Sequence, residues 1–182
     1  MKFKRVFVSV SLCLLLLTTL VGCGKGLEPS VKEGKFNFSV TYEVDGASET
    51  VSGVFACEFV ENVFALDGSY IEWNAYIEDA ELSNLLEEYR GFLLLKTCDD
   101  GAIYLDLNLS AKYFMADPNY RNSNANADEV NSGISPRLFI EYSEAKGEEL
   151  GVWWSEDVSV LESYGVKLVN YEYDAPIENI YK

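Results

Sequence analysis

The feature that most constrains the fold is a period-two alternation of apolar and polar residues that begins at residue 36. The clearest stretch reads Phe36, Asn37, Phe38, Ser39, Val40, Thr41, Tyr42, Glu43 and Val44. Successive residues of a strand point to opposite faces, so this pattern predicts a strand with one buried face. Asp45-Gly46 follows directly, and this pair is favoured in tight hairpin turns because its backbone tolerates positive φ.

The same pattern recurs along the chain. We predict further strands over residues 50–60, 63–66, 70–77, 92–98, 102–109, 137–142, 150–154 and 166–173. Asp67-Gly68 and Asp100-Gly101 separate successive strands as Asp45-Gly46 does, and a looser turn is centred on Gly147. Several short strands separated by turns are typical of antiparallel β proteins. The sequence therefore predicts a mainly-β domain, either a hairpin-rich antiparallel sandwich or a curved sheet with one or two short helices. An α+β fold and a barrel are the alternatives.

Two short helices are expected between the strands. Residues 79–90 carry apolar residues at helical spacing, and Gly91 follows as a stop signal. The apolar positions of this helix are Leu82, Leu85, Leu86 and Tyr89. The second helix covers residues 157–164, with Asp157 as its N-cap and Gly165 beyond its end.

Residues 117–135 contain almost no large apolar side chain and are predicted to form a long loop. Polar residues with oxygen ligands alternate in it, as calcium ligands could: Asn122, Asn124, Asn126 and Asp128. An EF-hand requires glycine at its sixth position and glutamate at its twelfth, where this sequence has Ala127 and Gly133. A solvated loop is therefore the ordinary interpretation, and a non-standard calcium site is the alternative. No other cofactor is expected.

Charge and composition argue against several function classes. The 182-residue chain has 14 Lys and Arg residues against 30 Asp and Glu residues, and it has no His. Such an acidic chain is a poor partner for nucleic acid, because binding would bring like charges together. Without His, neither a Ser-His-Asp nor a Cys-His arrangement can form, which leaves a carboxylate pair as the one catalytic route. With so many acidic residues, two close carboxylates would occur by chance, so we predict a protein that is not an enzyme.

The first 23 residues have the form of an export signal. Three basic residues precede an apolar run over residues 6–20, which is too short to span a bilayer comfortably. The run ends in Leu20-Val21-Gly22-Cys23, which resembles the lipobox of bacterial lipoproteins. The resemblance covers these residues alone. It implies cleavage before Cys23, acylation of that cysteine and retention on the outer side of a bacterial membrane, with inner and outer membrane left open.

This interpretation divides the chain into three parts. Residues 1–22 are a signal peptide, residues 23–35 a lipidated polar tether and residues 36–182 one extracytoplasmic domain. Removing the signal peptide takes three basic residues and no acidic one, so the formal charge of −16 becomes more negative by three. The lipid bilayer is the expected first partner, because each buried methylene of an acyl chain contributes about 0.8 kcal/mol.

Cys57 and Cys98 are the cysteines left for the folded domain. Outside the cytoplasm a disulfide persists, and closing a loop of this length would stabilise the fold by about 4 kcal/mol on the chain-entropy model. Two free thiols are the alternative. Two cysteines without histidine supply too few ligands for zinc, so no metal site is expected from them.

The aromatic residues suggest a binding surface. Neighbouring residues of a strand point to opposite faces, so Trp153 and Trp154 cannot both enter one core. Tyr171 and Tyr173 share a face, opposite Leu168. Exposed aromatic side chains suit sugar rings and protein partners equally well. We therefore predict that these four aromatic residues contact a glycan or a protein, with burial of both tryptophans as the alternative.

Together these features predict a membrane-anchored extracytoplasmic lipoprotein whose domain is a non-catalytic binding or interaction module. A carboxylate-dependent enzyme acting on glycans and a structural envelope protein are the alternatives. An exposed aromatic or apolar surface would favour binding, whereas a pocket with two close carboxylates would favour the enzyme.

Overall fold

The computed structural model describes residues 28–65, 68–117, 134–142 and 154–182. Strand residues outnumber helical residues there by more than two to one, which confirms the mainly-β prediction. The strands are β1 (Glu33–Val44), β2 (Ala47–Ala65), β3 (Gly68–Ile77), β4 (Leu93–Cys98), β5 (Gly101–Asp106), β6 (Arg137–Tyr142), β7 (Trp154–Ser155) and β8 (Val166–Tyr173). The helices are α1 (Ala80–Glu88), α2 (Ala111–Phe114) and α3 (Val158–Ser163).

The strands form two four-stranded antiparallel sheets. Sheet A has the strand order β3-β2-β1-β8, and sheet B has the order β4-β5-β6-β7. One hydrophobic core contains side chains of both sheets, among them Phe38 and Val40 of sheet A and Ile103, Leu105 and Ile140 of sheet B. The layered arrangement is the predicted sandwich with short helices, not the barrel.

Strand β1 shows how the alternation produces this fold. Phe36, Phe38 and Val40 are buried, whereas the polar residues between them are exposed or half-buried. The strand pairs with β2 without interruption from Glu33 to Val44 and ends in the predicted Asp45-Gly46 turn. The φ angles of these two residues, 52° and 84°, are both in the left-handed region that the Asp-Gly pair tolerates.

The turn between β4 and β5 differs from the prediction. Cys98 pairs with Gly101, so the turn is centred on Asp99 and Asp100, and Gly101 is the first residue of β5. Glycine is required here for another reason. A Cβ atom at Gly101 would lie 2.3 Å from the carbonyl oxygen of Glu141 in β6. Glycine is therefore required at position 101 by the close approach of β5 and β6, and not by the conformation of the turn.

Both predicted helices are confirmed, and their capping residues act as expected. Asp79 caps α1 by accepting a hydrogen bond of 2.8 Å from an amide of the first turn, and Gly91, with φ of 94°, follows the helix. Asp157 caps α3 through the amide of Ser159 at 2.8 Å, and Gly165, with φ of 75°, follows its end. Helix α2 was not predicted, because four residues are too few to show a helical period.

A bulge in β8 changes one of the predicted faces. The register against β1 shifts between Thr41 and Tyr42, so that Leu168 pairs with Tyr42 and Tyr171 pairs with Val40. Directly paired residues share a face of the sheet, and both Tyr42 and Val40 face the core. Leu168 and Tyr171 therefore lie on the same face, and their predicted placement on opposite faces is wrong, because one extra residue inverts the alternation.

The first and last described residues pair with each other. The amide of Glu28 donates to the carbonyl of Lys182 at 3.1 Å, the reverse bond measures 3.2 Å, and Ser30 donates to the carbonyl of Ile180 at 2.8 Å. We call residues 28–32 and 177–182 the terminal clasp. Residues 28–35 are therefore part of the folded structure, and the tether predicted for residues 23–35 is wrong beyond residue 27.

The clasp and the β2–β3 hairpin extend past the start of β1 in the same direction. The amide of Phe59 donates to the carbonyl of Lys32 at 2.7 Å, which is the point where the hairpin leaves the sheet beside the clasp. We call residues 60–65 and 68–72 the arm. The molecule thus has a clasp end, with the arm beside it, and an opposite end at the Asp45-Gly46 turn.

Candidate functional site: a groove beside α3

Two depressions meet where α3 connects β7 to β8. One has a volume of about 300 Å³ and lies between β6, α3 and β8. The other has a volume of about 420 Å³, reaches the Asp45-Gly46 turn and shares Glu162, Val166 and Lys167 with the first. We call the two together the groove. Its lining consists of Glu43, Asp45, Gly46, Pro136, Arg137, Leu138, Glu156, Val158, Leu161, Glu162, Gly165, Val166, Lys167 and Leu168.

The floor of the groove is aliphatic. Leu138, Leu161 and Val166 belong to the buried core and form its base. Val158 precedes Leu161 by three residues on the same side of α3, yet it is 64% exposed. The buried floor therefore continues into an apolar rim that is open to solvent.

Ion pairs hold two basic side chains at the rim. The guanidinium of Arg137 lies 2.8 Å from the carboxylate of Asp106 and 3.7 Å from that of Glu156. The ammonium of Lys167 lies 2.9 Å from the carboxylate of Glu43, its neighbour across β1 and β8. Both basic groups are thus committed to carboxylates of the protein itself.

Glu162 is the exception among the acidic residues of the rim. It lines both depressions, is exposed, and has no ion-pair partner within the described residues. The groove lining as a whole carries four carboxylates against two basic groups. Its formal charge is therefore negative, and Glu162 is placed to meet a cation of a ligand.

A hydrogen-bonded network fixes the corner between α3 and β8. Lys96 donates to the carboxylate of Asp45 at 2.5 Å and to the carbonyl of Tyr164 at 2.7 Å. The hydroxyl of Tyr164 donates to Asp100 at 2.8 Å, and this bond to a carboxylate raises the pKa of Tyr164 to about 12. The amide of Asp45 donates to the carbonyl of Gly165 at 2.8 Å. The end of the groove nearest the turn is therefore rigidly defined.

Of the four predicted binding aromatics, the structure brings together the two tyrosines. The rings of Tyr171 and Tyr173 are 5.8 Å apart. Tyr173 is half-buried and donates to the carbonyl of Leu107 at 2.7 Å, and burial raises its pKa well above the ordinary value. Tyr171 is 43% exposed. Tyr171 is thus the tyrosine available to a ligand, and Tyr173 serves the fold.

Trp154 lies in the short edge strand β7, where it pairs with Glu141 of β6. Several other predicted features lie outside the described residues. They are Cys23, Asp67, Asn122, Asn124, Asn126, Asp128, Gly147 and Trp153.

The predicted bridge between Cys57 and Cys98 is not present, and both thiols are free. Cys57 pairs with Gly34 near the clasp end of β1. Cys98 lies two residues after Lys96, which binds Asp45 at the other end of that strand. A strand rises about 3.3 Å per residue, so the two cysteines belong to opposite ends of the molecule, well beyond the Cα separation of about 7 Å that a disulfide allows. Burial raises the pKa of the Cys57 thiol to about 12.

The sequence did not indicate the groove residues. Val158 and Leu161 have the spacing of one helix face, but the sequence does not show that one is buried and the other exposed. Arg137 and Lys167 are isolated basic residues, and only the folded structure brings them to one rim. The one feature of the sequence that could have drawn attention to Arg137 and Lys167 is the scarcity of basic residues in this acidic chain.

Within the described part of the chain, no group of three or more Cys, Asp or Glu residues is arranged to hold a metal ion. No helix in the same residues is long and apolar enough to cross a membrane. Comparisons with protein-family models, with curated proteins and with solved structures find no match to this chain. Its function therefore has to be argued from its own geometry.

Proposed function

We propose that this protein is a lipid-anchored, extracytoplasmic binding module that presents its groove away from the membrane. The observation that carries the proposal is the distance between the clasp, which begins five residues after Cys23 in the sequence, and the groove. Glu28, five residues after Cys23, is fixed in the clasp, whereas Val166 of the groove pairs with Val44 at the far end of β1. At about 3.3 Å per residue, β1 separates the two ends by about 35 Å.

The tether in this proposal is short. It consists of residues 24–27, and the step from Cys23 to Glu28 spans at most about 18 Å when fully extended. Anchoring at Cys23 would therefore keep the clasp end close to the lipid, with the groove on the side facing away. An orientation with the groove facing away from the membrane suits a receptor for partners that arrive from outside.

The chemistry of the groove favours a protein partner over a glycan. Sugar rings stack on aromatic side chains, but the floor here is formed by Leu138, Leu161 and Val166. Such a floor suits aliphatic side chains, and Glu162, which has no ion-pair partner among the residues that the structure describes, suits a neighbouring Lys or Arg of the partner. We propose a peptide segment that combines an aliphatic anchor with a basic residue as the ligand.

The geometry gives less support to the carboxylate-dependent enzyme. The carboxylates of Asp106 and Glu156 come together at one side chain, because both contact the guanidinium of Arg137. Both carboxylates are therefore ion-paired within the protein, whereas glycoside hydrolysis needs a carboxyl pair that flanks the scissile bond of a substrate.

The anchoring part of the proposal is tested by Cys23→Ala. In cells that make the full chain, we expect this variant to leave the membrane fraction or to remain unprocessed, because it has no thiol to acylate. Cys98→Ser is the matched control and should remain in the membrane fraction. Unchanged membrane attachment and unchanged size of the Cys23→Ala protein would refute the anchor.

The groove is tested by selecting binders from a random peptide library with the purified protein. We expect the selected peptides to pair an aliphatic with a basic residue, and Glu162→Lys to weaken their binding by about threefold to tenfold, as the loss of a rim ion pair does. Val158→Asp should weaken it further. Matched controls on α1, Glu81→Lys and Leu85→Asp, should bind normally. The proposal would be contradicted if the control variants lost peptide binding equally, or if the selected peptides shared no motif.

A further inference from the structure

Three apolar side chains are exposed at the clasp end. Val60 and Tyr70 of the arm are 50% and 46% exposed, and Ile180 of the clasp is 61% exposed. All three lie beyond Lys32, the residue beside which the arm leaves the sheet. Three of the eight large apolar side chains that are exposed within the described residues thus lie at this end, and exposed apolar groups on an acidic protein indicate a contact surface.

The arm and Glu28, the first residue of the clasp, extend past Lys32 by comparable distances. Ala65 is six residues beyond Phe59, so the arm reaches about 20 Å past the level of Lys32. Glu28 is four residues from Lys32, so it lies at most about 14 Å from it. The arm therefore extends at least as far past Lys32 as Glu28 does.

We propose that the arm rests on the lipid surface to which Cys23 is attached, with Val60 and Tyr70 in the headgroup region as a second point of contact beside the acyl chains. This inference rests on the proposed lipid anchor. A tether of at most about 18 Å keeps the arm within reach of the bilayer. Tyrosine is enriched at membrane interfaces because its ring is apolar and its hydroxyl polar.

The contact is apolar rather than electrostatic. Glu61 pairs directly with Glu72 across the arm. The arm therefore presents acidic residues rather than a cluster of basic residues that anionic lipid would attract. The ammonium of Lys32 lies 5.5 Å from the ring centre of Phe59 and stays at the base of the arm. A contact of this kind should persist in vesicles of zwitterionic lipid and at high salt.

The test uses the full-length lipidated protein in phosphatidylcholine vesicles, with a nitroxide spin label on Val60→Cys or Tyr70→Cys. Ser48→Cys, an exposed position beside the Asp45-Gly46 turn, is the matched control. All three are made in a Cys98→Ser background, because Cys57 is fully buried and Cys23 is the proposed site of acylation. The label's collisions with oxygen, which concentrates in the bilayer, are compared with its collisions with a water-soluble nickel chelate.

We expect the ratio of oxygen to nickel collisions to be several-fold higher at positions 60 and 70 than at position 48. Adding Val60→Asp to the label at position 70 should lower the ratio toward the control value. Equal ratios at all positions on vesicle-bound protein would overturn the arm contact alone. Protein that does not float with the vesicles would overturn the anchor and this inference with it. Spin–spin broadening without vesicles would show that a second copy of the chain covers the arm, which also overturns it.

Discussion

The two ends of sheet A are closed in different ways. At the clasp end, backbone hydrogen bonds between Glu28 and Lys182 and between Ser30 and Ile180 join two stretches of chain, and apolar side chains remain outside. At the opposite end, side chains add to the backbone bond between Asp45 and Gly165, through the ion pair of Lys96 with Asp45. Apolar side chains there form the floor of a groove.

This difference fits the two roles proposed above, attachment at the clasp end and ligand binding at the groove. An attachment point needs a backbone that cannot detach, and paired strands provide it largely independently of side-chain identity. A binding site needs a specific shape, and a charged network that fixes one helix provides it. We therefore expect substitutions of side chains to damage the groove end more than the clasp end, and the four predictions below test this, beginning with the largest effect.

Leu161→Ala should have the largest effect. The side chain is 3% exposed beneath α3, and its truncation leaves a cavity in the core, which costs about 3 kcal/mol of unfolding free energy. Val158→Ala is the matched control on the same helix and should cost less than about 0.5 kcal/mol. Urea denaturation of both variants measures the difference. Similar values would mean that α3 does not pack as described.

Gly101→Ala should come next. Its new Cβ atom would meet the carbonyl oxygen of Glu141 at 2.3 Å, so β5 and β6 must move apart, at a cost of about 2 kcal/mol. Gly46→Ala is the control, since φ there is 84° but no atom lies within 4 Å of the new Cβ, and the expected cost is about 1 kcal/mol. If Gly46→Ala lost more unfolding free energy than Gly101→Ala, the close approach of β5 and β6 would not be the reason for glycine at position 101.

Asn179→Ala tests the clasp. The amide side chain accepts from the Ser30 hydroxyl at 2.9 Å and from the Val31 amide at 3.0 Å, and it donates to the Val31 carbonyl at 2.9 Å. Because the backbone pairing remains, we expect a global loss of only about 1 kcal/mol. Hydrogen exchange should accelerate at Ser30 and Val31 and stay unchanged in β6. A loss as large as that of Leu161→Ala would end the contrast between the two ends.

The last effect is absent at neutral pH and should appear only at alkaline pH. Burial is the main reason that the pKa of Tyr42 is raised to about 12. A raised pKa means that the folded state favours the neutral phenol. The stability gained is complete below the ordinary pKa of about 10 and is lost as the pH rises through 12. Tyr42→Phe should therefore lose less stability than the wild type between these pH values in denaturation experiments. Parallel losses would contradict the assignment.

Much of the fold could be predicted from the sequence, because local patterns determine it. The alternation in residues 36–44 and the capping residues Asp79 and Asp157 each act over a few residues, and the structure confirms them. The failures arise from contacts distant in sequence. The pairing of Glu28 with Lys182 shortened the tether, and the bulge in β8 moved Tyr171 onto the face of Leu168. The groove depends on such distant contacts throughout, so sequence patterns did not reveal it.

Strand β1 also has a mechanical consequence. If lipid holds one end of the protein and a partner pulls on the groove, the tension enters at Glu33 and leaves through Val166, the partner of Val44. Strands β1 and β8 are then pulled lengthwise against each other, and the load is shared by all seven of their residue pairs at once. Strands loaded in this shearing direction resist far more force than strands opened one pair at a time. The pairing of β1 with β8 would therefore stay intact under a tension applied between the clasp and the groove.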